Sequence, residues 1–207
     1  MEYADEKIMK LLNKEQNDNG IDPGRGSVSK GYVKTTREII RFSERELLNK
    51  KIKVHLPSVF EEMPNDLAAL KYPSERRPNL ILMSESTTIN MAFNHTSTEI
   101  KEKDTSAFKD LMMEFIKKTN PSAEWFADGV KVVNGKSVGF FEVLLPAMDT
   151  SIYNFMFCVE LEGKALMCTF NCTEEEMGDW QSIAEEIMNS FQIINEGATK
   201  NERNHHL

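Results

Sequence analysis

Three cysteines, four histidines and several runs of carboxylates are the residues of this sequence with chemistry to offer. A thiol nucleophile needs a base beside it and a group to orient that base. Cys168 is the best-placed thiol, but it falls on a predicted apolar strand face, where burial raises a thiol's pKa and leaves it inert. His55 and His95 sit on separate strand candidates without the convergent spacing of a metal site, and His205 and His206 are adjacent in a polar C-terminal run. The pairs and runs Glu61-Glu62, Glu174 to Glu176 and Glu185-Glu186 read as solvated faces, the second also as a helix cap. Asp22-Pro23-Gly24-Arg25-Gly26 is rich in glycine, yet it has neither phosphate-loop spacing nor a strand before it. No GxSxG elbow occurs. The expectation is a protein with no catalytic residues, no metal and no cofactor.

One segment stands apart. Lys71 to Pro78 reads KYPSERRP, framed by two prolines and therefore a rigid, non-helical loop. It places Lys71, Arg76 and Arg77 beside Tyr72 and Ser74 in an acidic chain. Arginine forks suit carboxylate or phosphate recognition. These five residues form the candidate binding loop. The structural alternative is that the arginines brace the loop against neighbouring acids such as Glu61 or Glu75.

The elements that must position this loop follow from periodicity. Residues 4–16 can form a short helix, with Ile8, Leu11 and Leu12 on one face. Asn17 to Gly31 is polar and glycine-rich and reads as a linker, so residues 1–31 are expected to be a flexible arm. A single domain then spans 32–194. Its first strands are Glu38–Phe42 and Ile52–Leu56, and the acidic stretch Glu61–Leu70 is partly helical in character. Leu80–Met83 and Ile89–Phe93 look like a hairpin. Asp104–Thr119 is a helix, with Phe108, Leu111, Met112, Phe115 and Ile116 in one apolar stripe. It stops at Asn120-Pro121.

Asn134-Gly135 marks the tip of a hairpin of strands 124–133 and 136–145. Strict alternation puts Phe126, Val132, Phe141 and Val143 on one face and Trp125, Val138, Phe140 and Leu144 on the other. A pair apolar on both faces is expected at the centre of a sheet. Glu162-Gly163 turns the last hairpin and pairs Leu161 with Lys164, Val159 with Leu166, Phe157 with Cys168 and Phe155 with Phe170. That register puts Cys158 and Cys168 on opposite faces. It also separates Cys168 from Cys172 by about 13 Å, too far for a disulfide. Thr173 and Glu176 then form a capping box before a helix bearing Met177, Trp180, Ala184, Ile187 and Met188, with Phe191 in step. From Asn195 the chain is polar, and 195–207 reads as a disordered tail. Strands, helix, two hairpins and helix make an α+β pattern on an antiparallel sheet.

Composition bounds the partners. With 33 acidic against 25 basic residues the net charge is −8, which disfavours binding to nucleic acid. No stretch approaches the roughly 20 apolar residues needed to span a bilayer. The N-terminus lacks a signal's apolar core, and three cysteines do not make a disulfide framework, so a cytoplasmic location is expected. The sequons at Asn94 and Asn171 then carry no meaning. Twelve methionines fit an adaptable core or binding face.

The segments KYPSERRPNLIL, TTINMAFN, NPSAEWFADGVKVVNGKSVGFFEVLLPAMDTSIYNFMF and LEGKALMCTFNCTEEEMGDWQSIAEEIMNSF resemble a group of uncharacterised bacterial proteins related to the PsbP-like fold superfamily. The resemblance covers about residues 36–192. That superfamily includes the photosystem subunit PsbP, a Ran-binding nuclear import factor and the DcrB-like proteins. It implies an antiparallel sheet of about six strands flanked by helices, and a binding or assembly role, with no contact residue carried over. The leading expectation is an accessory module that binds a protein partner. The alternatives are a small-ligand or lipid-binding module with an apolar pocket between sheet and helix, and a hydrolase or thiol enzyme with an unrecognised site.

Overall fold

The structure is a computed structural model that describes residues 24–72 and 77–194. The expected helix over 4–16, the tail from 195, and Ser74 and Arg76 of the basic loop lie outside the described residues. The chain begins with β1 (Gly26–Ser27), a 3-10 turn (Val28–Lys30), β2 (Tyr32–Lys34), β3 (Ile39–Leu47) and β4 (Ile52–Pro57). After β5 (Glu61–Glu62) come α1 (Asn65–Lys71), β6 (Leu80–Met83), β7 (Asn90–Glu99) and α2 (Thr105–Thr119). The last part comprises β8 (Glu124–Val133), β9 (Lys136–Pro146), β10 (Ser151–Leu161), β11 (Lys164–Thr173), α3 (Glu174–Asn189) and β12 (Gln192–Ile193).

Two antiparallel sheets result. The larger has seven strands in the order β5-β6-β7-β11-β10-β9-β8, and the smaller has five, β1-β2-β3-β4-β12. The inner face of the large sheet shares one apolar core with α3 and the small sheet. Its rings pair closely: Phe170 with Trp180 at 5.4 Å, Phe157 with Phe191 at 5.7 Å and Phe140 with Phe155 at 5.9 Å. On the outer face α1 covers Ile81 and Ala92, and α2 covers Phe141, Val143, Cys158 and Ala165.

Local signals carried through where the chain pairs with itself nearby. The β10–β11 register is the expected one, from Leu161–Lys164 to Phe155–Phe170. Asn134, Gly135, Glu162 and Gly163 all have positive φ, as two-residue hairpin turns of this hand require. Glu176 accepts from the Thr173 N–H at 3.0 Å and from its hydroxyl at 2.9 Å, closing the start of α3.

Four expectations need correction. The folded body takes in residues assigned to the arm: Gly26–Ser27 pairs with Tyr32–Val33, and Val28 is 1% exposed. Val28 is the single large apolar residue between Gly24 and Gly31, and the core takes it while its N–H donates to Glu186 at 2.7 Å. Second, β8 is an edge strand, not a central one, and Val132 stands in solvent. Third, a bulge between Trp125 and Asp128 exchanges the two rings. Trp125 packs on Phe141 on the outer face and Phe126 on Tyr153 on the inner.

Fourth, α2 buries a face rotated from the expected stripe. Thr105, Phe108, Lys109 and Met113 are buried, whereas Leu111 is 55% and Phe115 62% exposed. Lys109 lies beneath the helix, 2.8 Å from Asp110 and 2.5 Å from Asp128. Burial works against its charge, but the two hydrogen-bonded acids outweigh it and hold the ammonium above its ordinary range.

Candidate functional site

The predicted basic loop starts on the outer face of the large sheet. Lys71 is the last residue of α1 rather than part of a non-helical loop, and Tyr72 closes that helix by donating its N–H to Ala68 at 2.9 Å. The Lys71 ammonium donates to the Thr87 carbonyl, in the turn between β6 and β7. Partial burial there holds its pKa below the ordinary lysine range. Tyr72 packs beside Ile81 and Ala92, and its hydroxyl accepts from Asn171 Nδ2 at 3.3 Å. Burial raises the phenol's pKa, partly opposed by that hydrogen bond. Arg77 is half-buried. Lys71 and Tyr72 thus brace the loop's start against the sheet, and they do so through a carbonyl and a carboxamide rather than an acid.

What Tyr72 touches is a row of carboxamides. Antiparallel pairing sets Asn90 of β7 opposite Asn171 of β11, and Asn171 opposite Asn154 of β10. Directly paired residues share a face, so the three side chains form a line across the central strands, about 4.8 Å apart. Asn90 Nδ2 donates to Asn171 Oδ1 at 3.0 Å and to the Thr87 carbonyl at 3.3 Å. Asn154 Nδ2 donates to the Ile152 carbonyl at 3.0 Å. Asn90 is 4% exposed, and its Oδ1 is buried without a hydrogen-bond partner among the described residues. Polar atoms in that state are uncommon and costly in a folded protein.

On this face α1 covers Ile81 of β6 and Ala92 of β7 and α2 covers Phe141 and Val143 of β9 and Cys158 of β10, which leaves the strip of β11 that carries Asn171 between the two helices as a trough. Asn171, Thr169, Met167 and Met156 alternate with inner-core residues and are half-buried, so they form its floor. One wall is α1 with Tyr72. The other is the flank of α2 that carries Leu111 and Phe115. On the opposite flank Lys109 reaches Asp128 and Lys117 sits 4.9 Å over the Trp125 ring, both on β8. Leu111 and Phe115 therefore project away from the β8 edge, beside Phe108 and Met112, towards β11. Sequence periodicity marks both as core, and their exposure is the finding that turns a packing stripe into a wall.

No local sequence signal singles out the carboxamide row as a whole. Half of it was legible, because the register that pairs Phe155 with Phe170 also pairs Asn154 with Asn171. Asn90 comes from a strand some 80 residues away in sequence, and no local signal reports that pairing.

Elsewhere the chemistry is quieter. Among the described residues no group of three or more His, Cys, Asp or Glu side chains is arranged to hold a metal ion. His95 shares a 3.0 Å hydrogen bond with the Leu161 carbonyl, and His55 lies on β4 with its N–H donating to Ser190. Glu142 is buried on the inner face, where it accepts from Tyr153 Oη at 2.7 Å and Gln181 Nε2 at 2.6 Å. All three cysteines are free and buried. Burial pushes the Cys158 thiol up to about 12 and raises Cys168 and Cys172 well above the ordinary range. In the native protein at pH 8 we expect no labelling of any cysteine by iodoacetamide within an hour, and full labelling of all three in denaturant. Mass spectrometry of native protein carrying a rapidly alkylated cysteine would contradict that burial.

No family model matches the chain, and no curated protein matches it. Solved structures do. The cyanobacterial PsbP (CyanoP) of Synechocystis sp. PCC 6803 is similar with a TM-score of 0.55 at 12% identity, over 74% of this chain and 92% of that one. LpqN, involved in cell envelope biogenesis of Mycobacterium tuberculosis, gives 0.49 at 11% identity, over 84% and 100%. The T6SS immunity protein TplEi of Pseudomonas aeruginosa gives 0.40 at 10% identity, over 93% and 86%. With α1 and α2 on one face of its seven-stranded antiparallel sheet and α3 on the other, the chain has a PsbP-like fold.

Proposed function

We propose that this protein is a non-catalytic accessory module that binds a protein partner on the outer face of its large sheet, in the trough between α1 and α2. The observation that carries this reading is the flank of α2: Leu111 and Phe115, i and i+4 on one side, are more than half exposed beside a half-buried floor. Two large apolar side chains held out of a well-packed core mark a place where another surface is expected. Lys71 and Tyr72, where the basic loop begins, stand at the far wall of the same trough, and Arg76 and Arg77 are proposed to take part.

The lipid-pocket reading draws less support. The space it needs, between the inner face and α3, is occupied by the stacked Phe170–Trp180 and Phe140–Phe155 pairs. No helix among the described residues is long and apolar enough to cross a membrane.

The test is affinity capture from native lysate with three baits: wild type, Phe115→Glu, and the Arg76→Ala, Arg77→Ala double variant. We expect a protein held by wild type and depleted at least about tenfold by Phe115→Glu, which alters only an exposed helix position. Equal recovery on wild type and both variants would place the partner elsewhere and overturn the trough as the site.

A further inference from the structure

A sheet edge is a row of backbone donors and acceptors without partners, and proteins keep such edges short, charged or covered. Among the described residues β1, β5 and β12 each end a sheet with two residues. β8 ends the large sheet with ten. α2 rests mainly on β9 and β10 and α3 on β10 and β11, so both helices lie inboard of β8. The bulge between Trp125 and Asp128 disturbs one end of the strand, and from Asp128 to Val133 its register with β9 is regular.

Which backbone groups face outward follows from the turn. Asn134 and Gly135 have φ of 47° and 81°, a turn whose flanking pair, Val133 and Lys136, exchanges both hydrogen bonds. Antiparallel pairs alternate, so Lys131 and Gly129 also bond to β9, while the N–H and C=O of Val132, Val130 and Asp128 point away from the sheet. Their side chains share the outer face, where Lys109 of α2 holds Asp128. Val130 is 43% and Val132 79% exposed. β-branched apolar side chains on an open edge favour pairing, the reverse of the charges that blunt one.

The surface that fits this edge is the edge itself. Set β8 antiparallel to β8 of a second copy, with Val130 facing its own counterpart across a two-fold axis. Asp128 of each copy then faces Val132 of the other, and every outward N–H and C=O of Asp128, Val130 and Val132 gains a partner. On the inner face Lys131, held by Glu185 of α3, lies opposite a glycine, Gly129 of the other copy. Moving the axis one residue to Lys131 sets like charges opposite each other. Moving it one residue to Gly129 sets Val132 against the bulge. One register therefore satisfies both the hydrogen bonds and the charges.

We propose that the protein self-associates through β8 as a two-fold symmetric dimer, its large sheet continued edge to edge into that of a second copy with Val130 on the axis. This surface lies on the other flank of α2 from the trough, so it goes beyond the reading above and the two can fail separately.

The experiment is sedimentation equilibrium of the full-length protein from about 1 to 500 μM, where a monomer–dimer equilibrium with a micromolar dissociation constant is expected. Val130→Lys and Val130→Glu each set like charges on the axis, and each is expected to weaken the dimer at least about tenfold. An equimolar mixture of the two is expected to restore association, because in this register position 130 faces itself. A second measurement leaves the edge uncharged. Facing residues of a hydrogen-bonded pair have Cα atoms about 5.5 Å apart, within disulfide reach. The native cysteines are buried, so Val130→Cys supplies an accessible thiol, and diamide is expected to link it into a covalent dimer. Val59→Cys, at a position 69% exposed and away from β8, is expected to stay monomeric. Phe115→Glu is expected to leave the dimer unchanged, so partner capture and self-association are read independently. Wild type that stays monomeric throughout, a dimer indifferent to both charged substitutions, a mixture no tighter than its components, or equal cross-linking of Val130→Cys and Val59→Cys would each overturn the proposal.

Discussion

Phe170→Ala is expected to destabilise the protein by about 3–5 kcal/mol, the range for removing a large ring from a packed core. Phe170 is 1% exposed and stacks on Trp180 of α3 at 5.4 Å. It lies on β11, the central strand of the seven, paired with β7 on one side and β10 on the other. Its neighbour Trp180 is fixed by the helix backbone, and Cys168 and Cys172 flank it on the same strand face. None can swing into the space, so most of the cavity would persist. A loss that size is a large fraction of the stability of an ordinary domain. Urea denaturation followed by tryptophan fluorescence reads it directly, as a lowered midpoint at unchanged slope. A loss below 1.5 kcal/mol would mean that α3 repacks onto the sheet, and that the inner core is looser than its ring contacts indicate.

Much of the fold was legible because its strongest signals are local. The Glu162-Gly163 turn fixes a register, the register fixes which faces are apolar, and Thr173 with Glu176 starts α3 at the right residue. What was not legible depends on partners far away in sequence. Trp125 and Phe126 exchange faces because a bulge adds a residue that alternation does not foresee. Val28 lies in a stretch of glycine, serine and lysine, and only the presence of a core to enter distinguishes it from a linker residue. The apolar stripe of α2 is wide, and its centre alone does not say which edge meets the sheet. That choice is made by Gly139, which lets the helix come close, and by Asp128, which gives the buried Lys109 head somewhere to go. The same two residues leave Leu111 and Phe115 outside. For the site, the β10–β11 pairing of Asn154 with Asn171 was within reach of the sequence. The join to Asn90 and to Tyr72 was not, because β7 pairs with β11 across a helix and two hairpins.

The dependence of the trough on Gly139 can be tested by filling it. A Cβ at position 139 would lie 3.0 Å from the Lys109 Cβ, 3.3 Å from the Cys158 Sγ and 3.3 Å from the Thr105 carbonyl oxygen. Two of these belong to α2 and one of them is backbone, so a bulky side chain has no flexible neighbour to displace except the helix itself. Gly139→Val is expected to cost about 3 kcal/mol, at the upper end for overpacking, because two methyl groups are driven under the first turns of α2. Gly139→Ala, with the single Cβ, is expected to cost less than half as much. The loss should be uneven across the molecule. Amides of α2 should exchange with deuterium at least about tenfold faster in Gly139→Val, while α3 and the small sheet, on the opposite face, should change only by the drop in global stability. Partner capture should fall with the helix, since Leu111 and Phe115 ride on it, even though residue 139 is buried and lies outside the trough. Unchanged exchange in α2, with Gly139→Val within 0.5 kcal/mol of wild type, would show that the helix does not rest on this glycine. The exposure of Leu111 and Phe115 would then need a different cause.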